Sequence, residues 1–228
     1  MLVIGHRGAP SLEHENTIPS FKAALAHNID GLEFDIQHTK DHQLVIHHDF
    51  DIKHNNQKFN IADITLEKLR SLSLNYKIPT FEELIRICPE DKTINIEMKS
   101  KHIDNAELIT QALELLNKHQ LQNNIIISSF NPFLLLELKR QTNQFKIGLL
   151  WSKDKSEKWY VTHYSYKLLT PYSFHADIKY ITPEISVWVH SQGMKLFLYT
   201  VNNQNQLKIA KEVRADAIFS DYPNILEQ

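Results

Sequence analysis

Short apolar runs rich in β-branched residues alternate along this chain with longer stretches in which apolar residues recur every three or four positions. The short runs predict strands over Leu2–His6, Gly31–Gln37, Gln43–His48, Thr93–Lys99, Ile125–Ser129, Lys146–Trp151, Lys195–Val201 and Asp216–Ser220. The longer stretches predict helices over Ile18–Ala26, with Pro19 in its first turn, and over Phe81–Ile87, Asn105–His119, Pro132–Thr142, Pro183–His190 and Asn205–Glu212. Strands alternating with helices imply a parallel sheet, and eight such strands imply a closed (β/α)8 barrel. Two places disturb the pattern. The interval between the second and third strands is too short for a crossover helix, so the barrel is expected to be irregular there. A ninth short strand around Phe174–Ile181 has no place among the eight. No repeat, linker or low-complexity segment interrupts the chain, so residues 1–228 read as one barrel domain.

Polar residues inside the strands carry the next step. In Gly31–Gln37, a period of two puts Leu32, Phe34 and Ile36 on one face and Glu33 and Asp35 on the other. Burying unpaired carboxylates is costly, so either this is an edge strand with a wet face or a cation compensates the pair. Thr93–Lys99 repeats the pattern, with Asn95, Glu97 and Lys99 sharing a face. A surface pair of Glu97 with Lys99 fits that spacing, but two strands behaving alike favour a common cation. Three carboxylates without a cysteine suit one hard divalent ion, Mg²⁺, Ca²⁺ or Mn²⁺, better than zinc.

The strand over Gln43–His48 ends in His47-His48-Asp49, and only His48 shares a face with Leu44 and Ile46. His6 and Arg7 end the first strand. Barrel enzymes keep their site residues at the C-terminal ends of several strands, which is where these groups fall. Two histidines, three carboxylates, Arg7 and Lys99 suit phosphoryl chemistry. Arginine grips phosphate oxygens bidentately, lysine adds a point charge, and a metal polarises the phosphorus centre.

Composition excludes several alternatives. The formal net charge is -2 over 228 residues, so no broad basic field is available for nucleic acid or an anionic membrane, and any phosphate must be held locally. Cys88, the single cysteine, cannot form an intramolecular disulfide. The apolar runs are too short to span a bilayer and the first residues lack a signal-peptide pattern, so a cytoplasmic location is expected. No stretch marks a dimer face.

These residues also resemble a known family, the glycerophosphodiester phosphodiesterases. The resemblance runs through His6-Arg7-Gly8, Glu15-Asn16-Thr17, Glu33-x-Asp35, His48-Asp49, Ile78-Pro79-Thr80-Phe81-Glu82-Glu83, Glu97-x-Lys99, Ser128-Ser129-Phe130, Thr200-Val201-Asn202 and Asp216–Pro223, across nearly the whole chain. It implies a (β/α)8 barrel that hydrolyses glycerophosphodiesters to sn-glycerol 3-phosphate and an alcohol. It further implies that Glu33, Asp35 and Glu97 bind a divalent metal, that His6 and His48 act as acid and base, and that Arg7 and Lys99 hold the phosphate. The reaction it implies runs through a cyclic phosphate. His14 stands where the family usually has proline, Tyr199 where tryptophan is common, and Phe50-Asp51-Ile52-Lys53-His54 where an arginine-bearing run is frequent. These departures surround the pocket and bear on the alcohol rather than on hydrolysis. Two other readings keep the same residues: a phospholipase D-like action on lysolipids or sphingolipids, with Trp151, Trp159, Tyr160, Tyr164 and Tyr166 lining an apolar entrance, and a non-catalytic phosphodiester-binding protein.

Overall fold

The computed structural model describes residues 1–101, 104–121, 124–154 and 165–227. In chain order the elements are β1 (Leu2–Gly5), α1 (Ile18–Leu25), β2 (Gly31–His38), β3 (Leu44–Ile46), β4 (Asp51–His54), β5 (Gln57–Asn60), α2 (Leu66–Ser71), α3 (Phe81–Ile85), β6 (Thr93–Met98), α4 (Ala106–Lys118) and β7 (Ile125–Ser129). They continue with α5 (Pro132–Gln141), β8 (Lys146–Trp151), α6 (Ser165–Leu169), β9 (Ser173–Asp177), α7 (Pro183–Ser191), β10 (Lys195–Tyr199), α8 (Gln204–Glu212) and β11 (Ala217–Ser220). Parallel pairing runs β1-β2-β6-β7-β8-β9-β10-β11 and returns to β1, closing an eight-stranded barrel with helices between strands.

The predicted barrel is present, but one of its members is different. The third predicted strand, Gln43–His48, is not a barrel strand: β3 runs antiparallel to β2, with Ile36 opposite Ile46 and His38 opposite Leu44. The reason is reach, since a parallel return needs a crossover of about a dozen residues and only Thr39–Gln43 separate the two strands. That turn is tied by the Thr39 hydroxyl, which donates to Asp41 Oδ1 at 2.6 Å and accepts from Gln43 N at 3.0 Å. The unplaced ninth strand is β9, which takes the barrel place between β8 and β10 and brings the count to eight. Its sequence, Ser-Phe-His-Ala-Asp, hides it because polar Ser173 and His175 alternate with Phe174 and Ala176, so no apolar run forms.

All six predicted helices form within about two residues of their predicted ends. Thr17, Thr80, Asn131, Thr182 and Asn203 cap α1, α3, α5, α7 and α8 through their side-chain oxygens, and prolines in the first turns of α1, α5 and α7 set the backbone angle. Strand residues on one parity, such as Leu32, Phe34 and Ile36, pack outward against the helices in the main apolar core. The other parity faces the barrel axis, where Ile4, Ile126, Phe197, Ala217 and Phe219 form a second, smaller cluster.

The pairing of β2 with β6 is close enough to demand glycine at its start. Gly31 lies opposite Thr93, and a Cβ there would stand 2.2 Å from the Thr93 carbonyl oxygen. Gly31→Ala must therefore push the two site-bearing strands apart. It is expected to cost about 1–3 kcal/mol, read as a lower urea midpoint at unchanged slope.

Candidate active site

Glu33 and Asp35 point from β2, and Glu97 from β6, into the barrel mouth, where a carboxylate oxygen of each lies within 4.8 Å of the others. The register places Asp35 directly opposite Glu97 and Glu33 opposite Asn95. Glu33 is 4% exposed and Asp35 fully buried, which removes the wet-edge-strand account of this face. Burial, with the charges of Asp35 and Glu97 beside it, pushes the Glu33 carboxyl well above the usual carboxylate range. Asp35 goes the other way. Burial opposes its charge, but Lys99 and Arg7 overcome that and bring it down to about 2.

The cations around the cluster are held in turn by its carboxylates. Lys99 Nζ lies 3.1 Å from Glu97 Oε1 and 3.3 Å from Asp35 Oδ1. Arg7 takes the left-handed backbone conformation, φ +52°, uncommon for a non-glycine residue, and Gly8 follows at φ +90°. This turn aims the Arg7 backbone N–H at Glu33 Oε2, 2.9 Å away, and brings its guanidinium against both oxygens of Glu15 at 2.9 and 3.0 Å. Arg7 Nε stands 3.4 Å from Asp35 Oδ2, and Asn16 Nδ2 donates to the same oxygen at 2.8 Å.

Each predicted histidine has a carboxylate of its own. His6 Nδ1 is 2.7 Å from Asp221 Oδ1, and Asp221 also accepts from the Asn202 side chain. His48 Nδ1 is 2.8 Å from Asp49 Oδ1. A carboxylate on Nδ1 holds the imidazole orientation and leaves Nε2 for chemistry. Burial lowers His48 from the ordinary histidine value although Asp35 opposes the shift. His47 turns elsewhere, with Nδ1 on the Asp49 carbonyl at 2.8 Å and Nε2 3.5 Å from the Tyr76 hydroxyl. The structure thus brings together all seven candidates, His6, Arg7, Glu33, Asp35, His48, Glu97 and Lys99. Five of them, His6, Arg7, Glu33, His48 and Glu97, line one cavity of about 40 Å³.

Several participants were not singled out by sequence reasoning. Asp221, Asn202, Glu15, Asn16 and Asp49 lie inside the motifs that carried the resemblance, so their positions were visible but their partners were not. Asn95 was placed on the face of Glu97 and Lys99 without a role, and His175 fell in the unplaced strand around Phe174–Ile181. His175 lines the same cavity, fully buried and stacked on Phe197 with ring centroids 4.9 Å apart. Burial takes it from 6.5 down to about 3. Between those values the unfolded chain binds a proton there that the folded chain does not, so stability falls as pH drops through that window. Because β9 buries no other ionisable ring, His175→Phe is expected to flatten the acid limb of the stability curve between about pH 6.5 and 3, measured by urea unfolding.

Of the five aromatics expected at an apolar entrance, Trp151 and Tyr166 fall among the described residues and both are half-buried. Trp151 stacks on Phe174 and Tyr166 packs edge-on against Trp188, both against the outside of the main core. Trp159, Tyr160 and Tyr164 lie outside the described residues. Among the described residues no helix is long and apolar enough to cross a membrane.

Carboxylate-paired histidines, a buried acidic cluster and two cations at the C-terminal mouth of a parallel barrel define a phosphodiester-cleaving enzyme. Residues 6–225 match the glycerophosphoryl diester phosphodiesterase family, and the chain belongs to that family. It is 32% identical to a glycerophosphodiester phosphodiesterase of Caldanaerobacter subterraneus, over 99% of this chain and 96% of that one. Its fold matches the crystal structure of a glycerophosphodiester phosphodiesterase from Thermotoga maritima with a TM-score of 0.81 at 27% identity, covering 100% and 97% of the two chains. It also matches a phosphodiesterase from Oleispira antarctica, solved with the product sn-glycerol-3-phosphate, with a TM-score of 0.87 at 24% identity over 100% and 95%.

Proposed function

We propose that this protein hydrolyses glycerophosphodiesters to sn-glycerol 3-phosphate and an alcohol, with one divalent cation and with His6 and His48 as the acid and base. The observation that carries this reading is the convergence of two histidines, each oriented by its own carboxylate, on one cavity beside three clustered carboxylates. A protein that only bound phosphodiesters would have no use for two proton carriers.

The acidic cluster fits a hard cation. Its donors are all oxygens, burial and the neighbouring carboxylates push Glu33 toward protonation, and Asp35 Oδ1, 3.3 Å from Lys99 Nζ, has no hydrogen-bond partner among the described residues. Glu33, Asp35 and Glu97 would hold Mg²⁺ or Ca²⁺, which when bound neutralises the carboxylates and draws negative charge from the phosphoryl oxygens. Arg7 and Lys99, fixed by Glu15, Asp35 and Glu97, present positive charge to the phosphate without having to reorganise.

One histidine takes the proton of the glycerol hydroxyl next to the phosphoester, and that oxygen attacks phosphorus. The other, protonated, gives its proton to the departing alkoxide. A five-membered cyclic phosphate results. Water then opens the ring as the two histidines exchange roles, so each ends in its starting protonation state. Each positioned transfer contributes about 10² to 10⁴-fold. Asp221 and Asp49 stabilise whichever imidazolium is present at each stage.

The experiment is a metal-dependent assay on glycerophosphocholine. Chelation is expected to abolish turnover, and Glu33→Ala to do so while leaving the far-ultraviolet circular dichroism unchanged. Full activity in excess chelator, after metal analysis shows the ion gone, overturns the proposed cation.

A further inference from the structure

His48 is carried by a segment outside the parallel barrel. β3 has only three residues, and the chain runs without regular structure from His47 until β4 begins at Asp51. The residues beyond build an apolar cluster of their own, Ile52, Ile61, Leu69, Leu72 and Ile78 with Val45 of β3, separate from the main core. One proton carrier therefore sits between two packed bodies, whereas Glu33 and Asp35 stand on β2. Reacting groups displaced by about 1 Å can lose about 10²-fold in rate, so something must tie this segment to the barrel.

β2 itself supplies the tie. The parity that sets Glu33 and Asp35 on one face continues to Gln37, which is 4% exposed and takes no part in the chemistry proposed for the site. Its side-chain nitrogen donates to the His47 carbonyl at 2.7 Å and to the Asp49 carbonyl at 2.9 Å, the carbonyls on either side of His48. Both partners can only accept, so the amide has one possible orientation and gives each carbonyl one proton. The His47 backbone N–H adds a third bond to β2, donating to the Asp35 carbonyl at 3.1 Å. The Asp49 carbonyl also lies 2.8 Å from His47 Nδ1. Asp49, whose carboxylate holds His48 Nδ1, is thus held at its own backbone from two directions.

We propose that Gln37 is a positioning residue for the reaction: by bridging the carbonyls on either side of His48, it fixes that imidazole relative to Glu33 and Asp35. The strand that bears two of the acidic groups then also sets the proton carrier. The inference rests on the reading of His48 as acid or base and adds a residue to it. Gln37 acts through the backbone of His47–Asp49. Without its two bonds that segment can follow the small apolar cluster instead of the barrel, which moves the imidazole but leaves the acidic cluster, Arg7 and Lys99 where they are. Proton transfer weakens, while binding of cation and substrate persists.

The test uses Gln37→Met, which keeps the length of the side chain and removes its donors, and Gln37→Glu, which sets a carboxylate against the same two carbonyls. In each variant shown to melt cooperatively, kcat on glycerophosphocholine is expected to fall about 10- to 100-fold, while KM and the dissociation constant for Mn²⁺ change less than about threefold. In a His48→Ala background, Gln37→Met should change kcat by less than about threefold, because the group it positions is gone. A merely structural role lowers kcat alike in both backgrounds, and that result overturns the proposal, as does an unchanged kcat in Gln37→Met. Should neither variant fold, the wild type decides. Its Gln37 side-chain amide protons should exchange with solvent at least about tenfold more slowly than those of exposed Gln57, and equal rates overturn the proposal. Full activity of His48→Ala instead overturns the functional reading on which the inference rests.

Discussion

The 2-deoxy analogue of glycerophosphocholine is expected to inhibit this enzyme competitively and to be cleaved at least about 10⁴-fold more slowly than the parent compound. A well-placed intramolecular nucleophile is worth about 7 kcal/mol or more of the barrier, and each 1.4 kcal/mol is about tenfold in rate. Removing the carbon-2 hydroxyl leaves the phosphate, the carbon-1 hydroxyl and the alcohol moiety, so binding survives while the attacking group is gone. Two histidines, each held on Nδ1 by a carboxylate at 2.7 or 2.8 Å, are what an intramolecular attack and a departing alkoxide both need. A phosphorus NMR time course on the parent should show the cyclic phosphate accumulating transiently when ring opening is the slower step. Comparable hydrolysis of the deoxy analogue excludes the cyclic route and leaves direct attack by water.

His48→Ala should lose at least about 10²-fold in kcat, whereas His47→Ala should lose less than about tenfold. Adjacent residues of the same type make this an internal control for the register of the segment that follows β3. His48 lines the catalytic cavity with its Nδ1 on Asp49, while His47 is occupied with the Asp49 carbonyl and faces Tyr76. Neither His47 nor Tyr76 lines the cavity, so His47 acts on His48 only indirectly, through Asp49 and the backbone. Equal losses in the two variants, or the reverse order, would mean that His47 reaches the reacting atoms and that the assigned roles are exchanged. A pH profile adds a second reading, because loss of one of the two proton carriers should remove one limb of the kcat profile in the His48 variant alone.

Much of the site could be read without coordinates because strand alternation is a local property. Glu33 with Asp35, and Asn95 with Glu97 and Lys99, share faces in the sequence for the same steric reason that they share faces in β2 and β6. Helix starts were legible on similar grounds, since Thr17, Thr182 and Asn131 followed by proline in the first turn specify a cap wherever they occur. The barrel count was reached with one wrong member. A short apolar run such as Leu44–Ile46 has the composition of a core strand whichever way it runs, and direction depends on the length of the connection before it.

What the sequence by itself determined is therefore the set of elements, the polar faces of the two carboxylate-bearing strands and, through the family motifs, the chemistry they serve. Only the tertiary structure decided which groups answer one another. Asp221 meets His6 across 215 positions of chain because barrel closure sets β11 beside β1, and no local pattern encodes that pairing. The meeting of Asn95 and His175 in one cavity belongs to the same class. His175 falls in the unplaced strand around Phe174–Ile181, and only closure of the barrel sets it on β9 in the same cavity as Asn95 of β6. Alternation is enforced within a few residues by backbone geometry, whereas these contacts arise from closure of the sheet, which acts between segments that the chain itself keeps far apart.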